Sequence, residues 1–167
     1  LKITGEPVAG AATSANAAMP QMVAAAPTAA PAAADAVSIV RSPADVPAPV
    51  GDRAPTTVNV ELTTKEVTGV LADGTTYNYF TFDGQIPGPM LRVRVGDTVN
   101  MTIHNASDSL FPHSIDLHAV TGPGGGAVAT QTKPGGSTTF TFQALNAGLY
   151  VYHCATPSVA HHIASGM

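Results

Sequence analysis

From Thr56 onward, apolar and polar residues take turns in short runs. Val58, Val60 and Leu62 alternate with polar neighbours, and Val67 to Leu71 continue the run. Side chains on a strand point alternately to its two faces, so this pattern predicts a strand with one buried face. Ala72-Asp73-Gly74-Thr75 is a turn signal, and Tyr77 to Phe82 follows as a second strand. Asp83 to Pro89 is punctuated by Gly and Pro and reads as a loop. Leu91, Val93 and Val95 alternate with Arg92 and Arg94, which predicts a half-buried strand that ends at the Gly96-Asp97 turn. Val99, Met101 and Ile103 then alternate with Asn100, Thr102 and His104, and that parity puts His104 on the polar face. Ser137 to Phe142 and Gly148 to Cys154 are strands by propensity. Short strands between regular turns, with no helical period, predict an all-β fold: an antiparallel sandwich or barrel.

The stretch before this region differs. Val37-Ser38-Ile39-Val40 has the makings of a short strand, and Pro43, Pro47, Pro49 and Pro55 then force extended backbone along the surface. Between Val8 and Ala36, Ala and Pro dominate; the prolines oppose the helix that alanine would favour. Residues 1–36 are therefore expected to be a tail or linker and 37–167 a single domain.

Composition narrows the function. Charged residues make up 11% of the 167, the net charge is −4, and the seven Lys and Arg are scattered, so nucleic acid is not expected as a partner. No run of 18 apolar residues is present to span a membrane as a helix. Leu1 to Gly5 lacks the basic start and apolar stretch of a signal peptide, which is compatible with a mature form whose export signal has been removed. The glycine-rich Thr121 to Gly126 lacks the Lys-Ser/Thr ending of a phosphate loop, which argues against a nucleotide site.

The lone cysteine changes the picture most. Cys154 lies in a closing segment with His153, His161, His162 and Met167, while Phe111 to His118 supplies His113, Asp116 and His118. Thiolate, imidazole and thioether together form the soft donor set of a blue-copper centre. Parity sorts these residues further. His153 and Cys154 face opposite ways on a regular strand, and so do His113 and His118, five residues apart. One arrangement gathers His113, Cys154, His162 and Met167, leaving His118 and His153 on the other face, with Asp116 sharing the parity of His118. Parity does not decide which histidine goes with which partner, nor between His161 and His162. Two histidines are also fewer than the three protein ligands usual at a catalytic site. His104, on another strand, is a weak third. On the residues alone, Asp116 reads as a solvated carboxylate, an outer-shell partner or a proton donor.

Several stretches carry a resemblance to a known family. Phe82 to Pro89, Arg92 to Asp97, Pro112-His113-Ser114-Ile115-Asp116-Leu117-His118, Gly124 to Ala127 and Tyr152-His153-Cys154 through Met167 resemble the first cupredoxin domain of copper-containing nitrite reductases. The short Cys-to-His loop is similar to the branch that includes the neisserial outer-membrane enzyme. The resemblance implies a cupredoxin-like Greek-key β-sandwich behind an Ala/Pro-rich N-terminal extension. It implies a type 1 copper on His113, Cys154, His162 and Met167, and a type 2 copper on His118 and His153. There nitrite would be reduced to nitric oxide, with Asp116 supplying a proton. The electron would enter at the type 1 copper and pass through Cys154-His153, delivered by a small redox protein, a cupredoxin or c-type cytochrome. It further implies a homotrimer, an exported protein that is periplasmic or tethered to the outer membrane, and a role in denitrification. Family members carry a second cupredoxin domain that completes a neighbour's type 2 site. Since the sequence stops at Met167, a second domain or chain is expected to be needed here. The alternative function is an electron-transfer cupredoxin with only the type 1 copper; a multicopper oxidase would resemble a pattern of His-x-His pairs, which the sequence lacks.

Overall fold

The computed structural model describes residues 37–167; the expected tail, 1–36, lies outside the described residues. Among the described residues six strands form two sheets: β1 Thr57–Ala72, β2 Thr75–Phe82, β3 Thr98–Asn105, β4 Asp116–Leu117, β5 Ser137–Gln143 and β6 Tyr152–His153. The larger sheet has the order β2-β1-β3-β5, and the smaller pairs β4 with β6. The long strand β1 serves two neighbours in turn. Its first half runs parallel to β3, from Thr57 opposite Thr98 to Thr64 opposite Asn105. Its second half folds back on β2 through the turn at Asp73-Gly74, where Gly74 takes a φ of 72°. A fully antiparallel arrangement was the expectation; the β1–β3 pair is parallel because the chain crosses β1 between β2 and β3.

Inward parity builds the core. Leu62 from β1, Phe80 and Phe82 from β2, and Met101 and Ile103 from β3 meet Leu117 of β4 and Ile115 just before it. Each such side chain contributes roughly 1.5–3 kcal/mol by leaving water. Cys154 and Met167 belong to the same buried cluster, so the closing segment is anchored in the core.

Four expectations are corrected. Leu91 to Val95 is not a strand. Its backbone is held through side chains instead: Arg92 donates to the Pro47 carbonyl, and the Arg94 N–H donates to the Asp97 carboxylate. Val37 to Val40 contributes one bridge, Val40 with Ile86. The strand expected over Gly148 to Cys154 is reduced to Tyr152–His153. Helix is also present: α1, Val159–Ala164, lies inside the closing segment, and a 3-10 turn covers Pro123–Gly126. Neither is long enough to show an amphipathic period.

Candidate metal centres

Two clusters of metal-ligating groups form where the small sheet meets the closing segment. In the first, the ligand atoms of His113, Cys154 and His162 all lie within 4.8 Å of one another. Three elements deliver them. His113 precedes β4 and is pinned by a two-way backbone exchange with Thr132 (3.0 and 2.8 Å). Cys154 follows β6, and His162 is the buried residue of α1. Cys154 Sγ is 3.4 Å from His162 Nδ1 and 3.9 Å from His113 Nδ1. Met167 is 6% exposed beside them; its N–H donates to the His162 carbonyl and its own carbonyl accepts from the Cys154 N–H. Both His161 and His162 pack against Phe80 and Phe111, but His161 is exposed and stays outside the cluster.

The protonation of this cluster favours a metal. Burial alone would raise the Cys154 thiol, but the His113 ring beside it, together with hydrogen bonds from Thr156 and from the backbone of Thr156 and Ser114, outweighs it and leaves the thiol below its ordinary value. The His162 imidazole is pushed down to about 4 by burial and by the neighbouring His113 and His161, with Glu66 opposing. It is therefore neutral at neutral pH and keeps a lone pair. His113 Nε2 lies 3.2 Å from Glu66 Oε1. A carboxylate can only accept, so Nε2 carries the hydrogen and Nδ1 offers its lone pair towards Cys154. Two imidazoles, a thiolate and a thioether in a dry pocket fit a blue-copper ion.

In the second cluster the ligand atoms of Asp116, His118 and His153 also lie within 4.8 Å of one another. The β4–β6 register sets Asp116 directly opposite His153. The His118 N–H donates to the Val151 carbonyl and extends that ladder. His153 Nδ1–H donates to the Cys154 carbonyl at 2.9 Å, so its Nε2 presents a lone pair, and that atom is 3.1 Å from His118 Nε2. His118 is exposed, and Asp116 and His153 are half-buried, so the site opens to solvent. His104 belongs to neither cluster; it contacts Glu61 and Ser137 on the open face of the large sheet.

Other residues of these centres carried no motif. Ser114 directs its N–H at Cys154 Sγ (3.4 Å), and Thr156 Oγ1 lies 3.4 Å from the same sulfur. The glycine loop backs the second cluster. A Cβ on Gly125, whose φ is 50°, would collide with Asp116 Oδ1 and the Leu117 backbone, so the loop approaches β4 as only glycine permits. Glu66 gave a signal that could have been read: it shares the parity of Val60, Leu62 and Thr64, which makes it an acid on the inward face of β1.

An all-β sandwich carrying a buried two-His, one-Cys, one-Met group defines a cupredoxin-like protein. The sequence profile of the family described as multicopper oxidase matches residues 63–167, and the chain belongs to that family. A copper-containing nitrite reductase of Neisseria meningitidis serogroup B is 50% identical over 123 residues, covering 74% of this chain and 32% of that protein. The one from Rhizobium sullae is 43% identical over 115 residues, covering 68% and 30%. Among solved structures, the copper nitrite reductase from Nitrosomonas europaea matches with a TM-score of 0.61 and 42% identity, over 66% of this chain and 39% of that one. The chain thus spans about a third of the length of the curated relatives it matches.

Proposed function

We propose that this chain is the copper-binding first domain of an enzyme that reduces nitrite to nitric oxide. The observation that carries this reading is the division of two sequence neighbours between two clusters: Cys154 faces His113 and His162, and His153 faces His118. When bound, copper would supply one-electron redox chemistry at both centres and Lewis acidity at the open one. His113, Cys154, His162 and Met167 would hold the buried ion, and His118 and His153 the open one. The covalent link from Cys154 to His153 gives a short route for an electron between the clusters. Nitrite reduction takes one electron and two protons and releases water with nitric oxide. Asp116, within 4.8 Å of both open-site imidazoles, is positioned to bind nitrite through its carboxyl and to hand over a proton.

Two histidines leave the open site short of the usual three protein ligands, so activity is proposed for an assembly in which a second domain or chain completes it, in a homotrimer. Exposed Leu145, Leu149, Tyr150 and Val151, beside an apolar groove of about 390 Å³, support packing of further polypeptide here. A small redox protein, a cupredoxin or a c-type cytochrome, is the proposed electron donor. A periplasmic or outer-membrane-tethered location and a place in denitrification go with this reading. The exposure of His118 favours one alternative, an electron carrier using the buried centre alone. Copper per chain, with visible and EPR spectra, separates the two. Two distinct coppers, the second perturbed by added nitrite, support the reductase; a single blue copper with no second signal supports the carrier.

A further inference from the structure

Glu66 is an acid where the strand pattern calls for an apolar side chain. It stands on β1 opposite Phe80 of β2, with 7% of its side chain exposed. A carboxylate is costly to bury unless its oxygens are occupied, and both are. Oε1 lies 3.2 Å from His113 Nε2, and Oε2 accepts the Leu110 N–H at 3.1 Å. One side chain thus ties the strand to the loop entering His113 and to the His113 ring itself. The ring is fully buried and packs edge-on against Phe80, so it has little freedom to turn.

We propose that Glu66 is a positioning residue for the buried centre, holding His113 as the Nε2–H tautomer with Nδ1 aimed towards Cys154, and keeping a negative charge one ring away from the metal. This rests on the copper reading given above. An imidazole whose far nitrogen donates to a carboxylate is a more basic and better-oriented ligand. A nearby negative charge favours the more highly charged, oxidised ion, so it holds the reduction potential down. The chain therefore tunes this centre through a residue more than forty positions upstream of its first ligand (47 for the Glu66–His113 pair).

The test uses the full chain and two substitutions. Glu66→Gln keeps the shape and one acceptor but removes the charge; Glu66→Ala removes both acceptors. In the metal-free protein, imidazole 15N NMR should show His113 as the Nε2–H tautomer, and Glu66→Ala should lose that preference. With copper bound, Glu66→Gln should raise the reduction potential while keeping the blue absorption, and Glu66→Ala should weaken copper binding about 10–100-fold. An unchanged His113 tautomer in Glu66→Ala overturns the proposal, and so does an unchanged potential in Glu66→Gln. Should Glu66→Ala fail to fold, the tautomer and potential of Glu66→Gln decide. If the wild-type chain binds no copper, the copper reading fails, and the NMR result still decides whether Glu66 positions His113.

Discussion

His153 and Cys154 are joined by one peptide bond yet serve different surroundings: Cys154 is fully buried, while His153 is half-exposed with Nε2 3.1 Å from His118 Nε2. Strand alternation at the end of β6 makes this division, and it renders the two centres separable by mutation. His153→Ala removes one of the two converging ring nitrogens and leaves Sγ untouched. Copper at the open centre should weaken by at least about tenfold, while the blue absorption of the buried centre persists. Metal analysis with EPR on the variant checks this; parallel loss of both signals would contradict it.

Cys154→Ser should do the reverse. A serine hydroxyl is a hard, neutral donor that does not give up its proton as the lowered Cys154 thiol does. The blue absorption should vanish, and His118 with His153 should keep their affinity for copper. Visible spectroscopy of the copper-loaded variant reads the first effect, and copper titration followed by EPR reads the second.

Gly125→Ala tests the glycine loop as a support for Asp116. An added Cβ would overlap the Asp116 carboxylate and the Leu117 backbone, in a left-handed conformation that alanine resists. The expected cost is about 1–3 kcal/mol of stability. The displaced Asp116 should also weaken nitrite binding at the open centre without altering the blue absorption. Gly74→Ala, with a similar φ of 72° but open space around it, is the control: strain without displacement.

The metal-free protein should be acid-labile. His162 is held at about 4, below its ordinary 6.5, so between these values the unfolded chain binds a proton that the folded chain refuses. Stability is therefore lost as pH falls through that window. Glu66 acts in the same direction lower down: although burial would raise its carboxyl, His113 and the Leu110 N–H hold it below its ordinary 4.5. Urea midpoints followed by circular dichroism should be level above pH 6.5 and fall towards pH 4. His162→Asn should remove about 1–2 kcal/mol of that fall, allowing for solvent screening.

The strands of the large sheet were readable from alternation. β3 alternates over its whole length, so its parity is unambiguous, whereas β2 buries Thr81 between Phe80 and Phe82; parity likewise separates His153 from Cys154. Leu91 to Val95 shows why parity alone misleads. The segment alternates like a strand, but the Asp97 carboxylate takes the Arg94 N–H and the Pro47 carbonyl, 45 residues upstream, takes the Arg92 guanidinium, and alternation records neither bond. The choice of His162 over His161 depends on a six-residue helix that turns only one of two adjacent rings inward. Glu66 was legible in principle as an acid at an inward position. Its partner was not, because a strand does not announce which loop will cover it.

Asp97 should be the most sensitive residue remote from both clusters. It is fully buried, and it accepts the N–H groups of Thr56 (2.9 Å) and Arg94 (2.7 Å) together with two from Arg53 (2.7 and 2.6 Å). It thereby fixes the start of β1 against the turn into β3. The Arg53 guanidinium and those backbone donors hold its carboxyl far below the usual carboxylate range. Asp97→Asn keeps the shape but sets an amide N–H₂ against donors that need an acceptor, so at least one is left unpaired. Arg53→Met removes only the partly exposed half of the pair and leaves both backbone N–H groups satisfied. Urea midpoints at neutral pH should therefore fall for both variants, and further for Asp97→Asn. Because no ligating side chain bonds to Asp97, the folded fraction of each variant should keep the copper spectra of the parent. An Asp97→Asn midpoint equal to that of the parent would mean that this buried carboxylate does not organise the strand starts.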